Sequence, residues 1–373
     1  MHDFIVIGAG MAGASVAAEL SRMGTVRMLE MEAQPGYHST GRSAALYEPN
    51  YGPPAIRALT RASGPFFRDP PAGFADVPLV TPRNMMVIAR SDQLDALEAQ
   101  ITEAAAHGPV ERLNAAEARA EMPLLREGYA AAAMLDRVGA DIDVDALLQG
   151  FLRAFRARGG TVETKAPVTA MTRQDGVWTV ETPKGRFRAP VVINAAGAWA
   201  DHIGALAGAE RIGLQPKRRT ALTIAAPEGM EIDAWPMVVD AVEDFYLKPD
   251  AGRLLISPAN ADPVEPQDVQ PEELDIAICI DHIERAFDLS VRRIESRWAG
   301  LRSFVADGTP VVGLSGKADG FLWLAGQGGY GIQTAPALSR FAAALATGAP
   351  TPEDIAAQGL SPDDLSPLRL AHA

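Results

Sequence analysis

The stretch Phe4–Gly13 reads F-I-V-I-G-A-G-M-A-G, a short β-branched run followed by glycines at 8, 10 and 13. No other feature constrains the fold as tightly, because it predicts a buried strand, a tight turn and a helix in immediate succession. Gly8 permits the turn, Gly10 lets the backbone approach a pyrophosphate, and Gly13 lets the helix lie close on the strand. The N–H groups and positive dipole end of that helix, with Met11 and Ala12 in its first turn, suit a diphosphate. A helix over Met11–Met23 is expected, then a strand over Val26–Leu29, then Glu30 and Met31. Glu30 falls about twenty residues past the glycines, where a ribose hydroxyl needs an acceptor. A glycine fingerprint alone is weak; set between strand, helix, strand and acid it points to an adenine dinucleotide.

At 373 residues the chain exceeds one core of ordinary size, so two domains are expected. A net charge of −13 argues against a nucleic-acid partner, since phosphate contacts need a basic surface. The single cysteine, Cys279, excludes an intramolecular disulfide and fits a reducing, cytoplasmic compartment. Lying in the apolar stretch Ile276–Ile280, it reads as core filler rather than a nucleophile. The six scattered histidines suggest no metal cluster. The N-terminus leads straight into a core strand, so no signal peptide is expected. No apolar run reaches the ~18–20 residues needed to span a bilayer.

Along the chain, helical patterns occur at Pro54–Phe67, Gln93–His107, Ala115–Met122 and Val144–Arg158, the last entered through Asp143. A hairpin-rich stretch follows: Thr161–Lys165, Val168–Gln174, Val177–Thr182 and Arg186–Arg188, with turns at Asp175-Gly176 and Lys184-Gly185. Pro190–Asn194 is a buried strand, Gly213–Ser257 alternates like an antiparallel sheet, Leu274–Phe287 is an amphipathic helix, and Arg292–Arg302 returns as a strand. The chain closes with strand Gly320–Ala325 and helix Ile332–Ala346. The fold class is therefore α/β: a Rossmann-like unit interleaved with a domain built on a mixed, largely antiparallel sheet.

Three further segments carry chemistry. The long irregular segment Gly36–Gly52 follows Glu30 directly, and loops of that length in compact domains usually bind something. In it Gly41, Ser43, Ala44 and Ala45 suit a close pass over a flat ring, while Ser39, Thr40 and Arg42 offer donors; the bland alternative is a surface Ω-loop. His38 reads as a structural hydrogen-bonder. The run I-N-A-A-G-A-W at Ile193–Trp199 places Ala195, Ala196 and Gly197 at a strand end, a second close backbone approach, with Trp199 read as helix packing. The third, G-Q-G-G-Y-G-I-Q-T, sets Gly328, Gly329, Tyr330, Gly331, Ile332, Gln333 and Thr334 at a helix start, an anion site if it is more than a flexible turn. Were the cofactor a flavin, this positive end would face the ring edge where negative charge develops.

Together these segments resemble the flavoprotein family of D-amino-acid oxidases, glycine and sarcosine oxidases and bacterial D-amino-acid dehydrogenases, with the D-arginine dehydrogenase type nearest. The likeness runs from Phe4 past Thr334 through G-A-G-M-A-G, H-S-T-G-R-S-A-A, N-A-A-G-A-W, P-K-R-R, F-Y-L-K-P-D and W-A-G-L-R-S-F. It implies a non-covalently bound FAD, Val168 included among its contacts, with residues 1–48, 137–214 and 295–373 forming the FAD-binding domain and 49–136 and 215–294 the substrate domain. It implies that Arg302 grips a substrate carboxylate with help from Arg219, Tyr246 and Tyr51, and that the Gly329 carbonyl accepts from the substrate amine. A guanidinium fork matches carboxylate geometry. The two arginines alternatively serve only as partners of acidic neighbours.

Two departures matter. Where the D-arginine enzyme has a glutamate facing the guanidinium, this chain has Met85 (with Met86 beside it), and where it has a histidine, Leu46. A buried carboxylate replaced by methionine shifts preference toward apolar D-amino acids, and methionine adapts to several shapes. Glu48 is a candidate substitute carboxylate. The expected activity is oxidative deamination of a small-molecule D-amino acid, Cα hydride passing to the flavin and then to oxygen or a quinone-like carrier. Oxidation of N-methyl or secondary amino acids, or of a 2-hydroxy acid, is the alternative; so, outside catalysis, is a flavin-binding sensor. A monomer or weak homodimer is expected.

Overall fold

In the computed structural model, which describes residues 1–372, the chain folds around two sheets. The six-stranded sheet runs in the order Val311–Leu314, Phe321–Ala325, Val191–Asn194, Phe4–Ile7, Val26–Leu29, Thr161–Glu163. All its pairings are parallel except that of Val311–Leu314 with Phe321–Ala325. Phe4–Ile7 is buried throughout, as a central parallel strand covered on both faces must be. Its side chains alternate: Phe4 and Val6 meet helices Met11–Leu20, Val144–Ala157 and Gly331–Thr347, whereas Ile5 and Ile7 meet Ile203, Trp178 and Trp323.

The nine-stranded sheet has Gln215–Ala225 paired with Ile294–Phe304 on one side and with Arg253–Ser257 and the short Asp262–Pro263 on the other; Tyr246–Asp250, Met237–Asp240, Met85–Ala89, Ala132–Asp136 and Glu111–Asn114 follow. It is antiparallel save for Met237–Asp240 against Met85–Ala89, so the expected mixed, largely antiparallel character holds. Helix Glu273–Ala286 covers one face through Ile276, Cys279 and Ile283, and burial pushes the Cys279 thiol pKa up, out of reach of nucleophilic use.

Several expectations needed correction. The helix expected over Met11–Met23 stops at Leu20, four residues before Gly24. Thr161–Glu163 is no hairpin strand but lies parallel to Val26–Leu29, a pairing no local pattern encodes. Ile294–Phe304, which the boundary at 295 assigned to the dinucleotide unit, belongs to the nine-stranded sheet, because its alternating apolar face completes the edge beside Gln215–Ala225. Among the described residues no helix is long and apolar enough to cross a membrane.

Candidate active site

One cavity of about 370 Å³ lies where the two sheets meet. Its one end is built from strand-to-helix junctions. Gly8 sits at φ +99°, and a side chain there would collide with the Ala195 carbonyl; a side chain on Gly13 would collide with the Gly8 carbonyl. These glycines are what lets strand, turn and helix close on one another. The Glu30 carboxylate accepts from the Ala9 N–H at 2.7 Å and the Glu32 N–H at 2.8 Å while lining the cavity. Gly10, Met11, Ala12, Met31, Val168, Ala195, Ala196, Gly197 and Trp199 line the same space, as do Gly328, Gly329, Gly331 and Ile332. Around Gly197 a Cβ would meet nothing within 4 Å, so the backbone is bare to the cavity there. All three glycine-rich junctions thus open onto one volume, as an extended dinucleotide requires.

The 36–52 segment is no loose surface loop. Ser39, Thr40, Ser43 and Ala44 line the cavity, but several of their polar groups are already engaged. Ser39 Oγ donates to the Leu301 carbonyl at 2.7 Å, and Thr40 Oγ1 accepts from the Met11 N–H at 2.9 Å. The Arg42 guanidinium, expected to offer donors to a ligand, is committed elsewhere: it pairs with Asp268 and donates to the carbonyls of Val269 and Ala299 at 3.1 and 3.0 Å. Arg42 therefore braces this segment against the second sheet. From the other side Lys248 Nζ reaches the Ala44 carbonyl at 2.8 Å and Asp141 at 2.9 Å. Gly41 and Ala45 do not line the cavity; Gly41 donates to the Gly36 carbonyl and Ala45 to Ser43 Oγ, which shape the turn itself. His38 bonds Glu32 at 2.9 Å and its ring lies 4.7 Å from that of Trp199, a structural role as expected.

At the cavity's other end the nine-stranded sheet presents Arg219, Ala221, Tyr246 and Arg302. Arg219 and Ala221 alternate with inward Thr220 and Leu222, and Arg219 sits opposite Gly300, two residues from Arg302. Neither guanidinium has a carboxylate partner among the described residues, and the buried Nε of Arg219 has no hydrogen-bond partner at all. Burial and the neighbouring Arg302 charge push the Arg219 pKa down to about 10. Two like charges taken from water and left uncompensated are costly; an anion bridging them removes that cost. Arg302 packs on Gly329, whose lack of a side chain makes the room.

Tyr51 does not line the cavity but stands beside it, near enough to Arg302 to feel its charge, its hydroxyl donating to Glu243 at 2.6 Å and its ring 5.5 Å from that of Tyr330. Burial and Glu243 hold its pKa well above the phenol range, so it stays a donor. Tyr330 is thus a rim aromatic rather than a lining residue. Gln333 and Thr334, expected near the cofactor, turn inward: Gln333 Oε1 accepts from the Glu48 N–H and Thr334 donates to the Tyr330 carbonyl. They are on the buried side of the helix. Met85 and Leu46 do not line the cavity but pack with Tyr51 and Val239 in the apolar wall behind it. Glu48, the candidate substitute carboxylate, is 1% exposed and faces away, held against Asn50; it is not available to a ligand's side chain. Sequence reasoning missed Glu243, Lys248, Met237 and Val239. The strand period in F-Y-L-K places Lys248 on the face of Tyr246, whereas nothing local marks Glu243.

Compared with known proteins, the chain matches the family model described as DAO, FAD dependent oxidoreductase, over residues 3–345. Human mitochondrial dimethylglycine dehydrogenase is 26% identical over 273 residues, 69% of this chain but 30% of that protein, so the chain spans under a third of its length. Among solved structures, glycine oxidase from Geobacillus kaustophilus superposes with a TM-score of 0.83 at 22% identity, covering 94% of this chain and 95% of that one. The L-α-glycerophosphate oxidase of Mycoplasma pneumoniae, solved with FAD bound, gives 0.85 at 18% identity over 93% and 94% of the two chains.

Proposed function

For a chain that belongs to the DAO family of FAD-dependent oxidoreductases, we propose oxidative deamination of D-amino acids with apolar side chains. The observation that carries this reading is the pair Arg219 and Arg302, two guanidiniums facing a shared cavity with no carboxylate partner among the described residues. The glycine junctions and Glu30 would hold FAD without a covalent bond, and it would supply the hydride acceptor. Arg302, backed by Gly329, grips the substrate carboxylate, and Arg219 with the Tyr246 hydroxyl completes its coordination. The Gly329 carbonyl accepts from the amine, which enters neutral, so no side-chain base is needed. Tyr51 and Tyr330 close the rim against water, and fixing the substrate in this way supplies most of the acceleration.

Apolar preference follows from the wall behind the cavity. Met237 and Val239 pack beside Tyr246, and Met85 and Leu46 pack with Tyr51 and Val239; the Glu243 carboxylate next to this patch is already bonded by the Tyr51 hydroxyl. A basic side chain directed there loses its water without gaining a partner. A second reading, oxidation of glycine or N-methyl amino acids, is favoured by the likeness to dimethylglycine dehydrogenase and to the glycine oxidase structure. The free, buried Cys279 fits a cytoplasmic enzyme. A panel of D- and L-amino acids, glycine and N-methylglycine, assayed with oxygen and with an artificial acceptor side by side, decides. Turnover of D-leucine or D-methionine above that of N-methylglycine supports the proposal; turnover of L-forms or of N-methylglycine alone defeats it.

A further inference from the structure

Behind the rim, Glu48 and Asp136 form a sealed pair of carboxyl groups, 1% and 0% exposed. Asn50 ties them together: its backbone N–H donates to Glu48 Oε1 at 3.0 Å and its side-chain amide to Asp136 Oδ2 at 2.8 Å. The same short turn carries Tyr51, whose own N–H donates to the Glu48 carbonyl. Gln333 fixes the turn from the helix side through the Glu48 N–H at 2.9 Å, and the Val138 N–H fixes Asp136 at 2.9 Å. Glu48 Oε2 has no partner and sits against Gly139, where a Cβ would stand 3.1 Å away.

We propose that Glu48 and Asp136, bridged by Asn50, are positioning residues for Tyr51, and that a neutral Glu48 carboxyl holds the 48–52 turn in the form that presents the phenol beside the cavity. The inference rests on the reading above that Tyr51 borders the substrate. Backbone and amide donors reach the pair, but among the described residues no cation does, and the Gln333 Nε2 donor is buried without a partner. Asp136 faces Glu48 from its strand, Gln333 faces it from the helix, and Tyr47 adjoins it in the chain. Of the nearby cations, Arg137 is paired with Glu111 and Glu121, and Arg83 with Asp141. Among the described residues no lysine or arginine pairs with either carboxyl. Burial and Asp136 accordingly push the Glu48 pKa up to about 8. Below that pH the Glu48 carboxyl is neutral. Above it two charges face each other in a dry site, their repulsion pulls against the two bonds Asn50 makes, and the turn loosens.

The test uses the FAD-loaded protein and 4-methylpentanoate, a carboxylate with no amine to titrate, bound between pH 6.5 and 9 and followed by the flavin absorbance. In the natural protein the dissociation constant is expected to rise about three- to tenfold across that range. Glu48→Gln, which keeps a neutral hydrogen-bonding group, is expected to hold it constant, and Glu48→Ala to be weak at every pH. In parallel, hydrogen-exchange protection of the 48–52 amides, normalised to intrinsic rates, falls with the same midpoint in the natural protein and not in Glu48→Gln. Asp136→Asn gives the same result should Glu48→Gln fold poorly. A protection profile that is flat in the natural protein, or that falls equally in both variants, overturns the proposal. If 4-methylpentanoate leaves the flavin spectrum unchanged at all pH values, the carboxylate-site reading fails, and the exchange profile still decides the role of the pair.

Discussion

Gly329 lies flat against the Arg302 guanidinium: a Cβ on it would stand 2.8 Å from Cζ and 2.9 Å from Nε. The glycine at that point sets the position of the positive charge. Gly329→Ala should push the guanidinium aside and lower kcat/KM by ~10- to 100-fold, since misplacing a binding group by about 1 Å costs on that order. Gly329 also belongs to the third glycine junction, so flavin content is needed to separate a displaced guanidinium from loss of the cofactor. Steady-state kinetics with a flavin-to-protein ratio checks both; unchanged kcat/KM would show that Arg302 does not hold the substrate.

The two arginines are expected to differ in their pH signatures. Removing either head group by substitution with methionine should cost roughly 2–5 kcal/mol of carboxylate binding. Arg219 has its pKa lowered to about 10, and only its protonated form binds an anion. Substrate-side amine deprotonation should therefore raise kcat/KM from neutral pH, and loss of the Arg219 proton should lower it again above pH 10. In Arg219→Met that alkaline fall should vanish. Persistence of the same fall in the variant would assign it to another group.

Tyr51 and Glu243 make a charge-assisted hydrogen bond of 2.6 Å at the rim. Tyr51→Phe and Glu243→Gln should each raise KM by ~3- to 10-fold, equivalent to about 1 kcal/mol, with a smaller effect on kcat. The double variant should be no worse than Tyr51→Phe alone, because both lose one interaction. Additive effects in that cycle would refute a shared role.

Stability should also report the buried carboxyl pair. Glu48 has its pKa raised from 4.5 to about 8, so the folded protein holds a proton that the unfolded chain releases across that window. The benefit of the neutral form is full below pH 4.5 and lost as pH rises to 8. Relative to Glu48→Gln, stability of the natural protein should fall by roughly 1.4 kcal/mol per pH unit in that interval and level off above it. Denaturant unfolding of both proteins at pH 5 to 9 measures this; parallel curves would place the proton elsewhere.

The dinucleotide end of the cavity was legible in the chain because its chemistry is local. Gly8, Gly10, Gly13 and Glu30 act through backbone conformations and spacings within one strand–helix–strand unit, and those are encoded by neighbours in sequence. The alternation along Gln215–Ala225 likewise marks Arg219 as sharing a face with Ala221 before any folding is considered.

What the tertiary structure alone decided is which of the polar groups are free. Arg42 and Arg219 read alike in sequence, yet Asp268, 226 residues away, neutralises the first, whereas the second meets another guanidinium. Glu48, a plausible ligand partner on paper, is tied through Asn50 to Asp136, on a strand 86 residues downstream of Asn50. The physical reason is one of range. Backbone conformation is settled by contacts a few residues long, while the charge state and availability of a side chain are settled by desolvation and by partners that only the assembled sheets bring within a few ångströms.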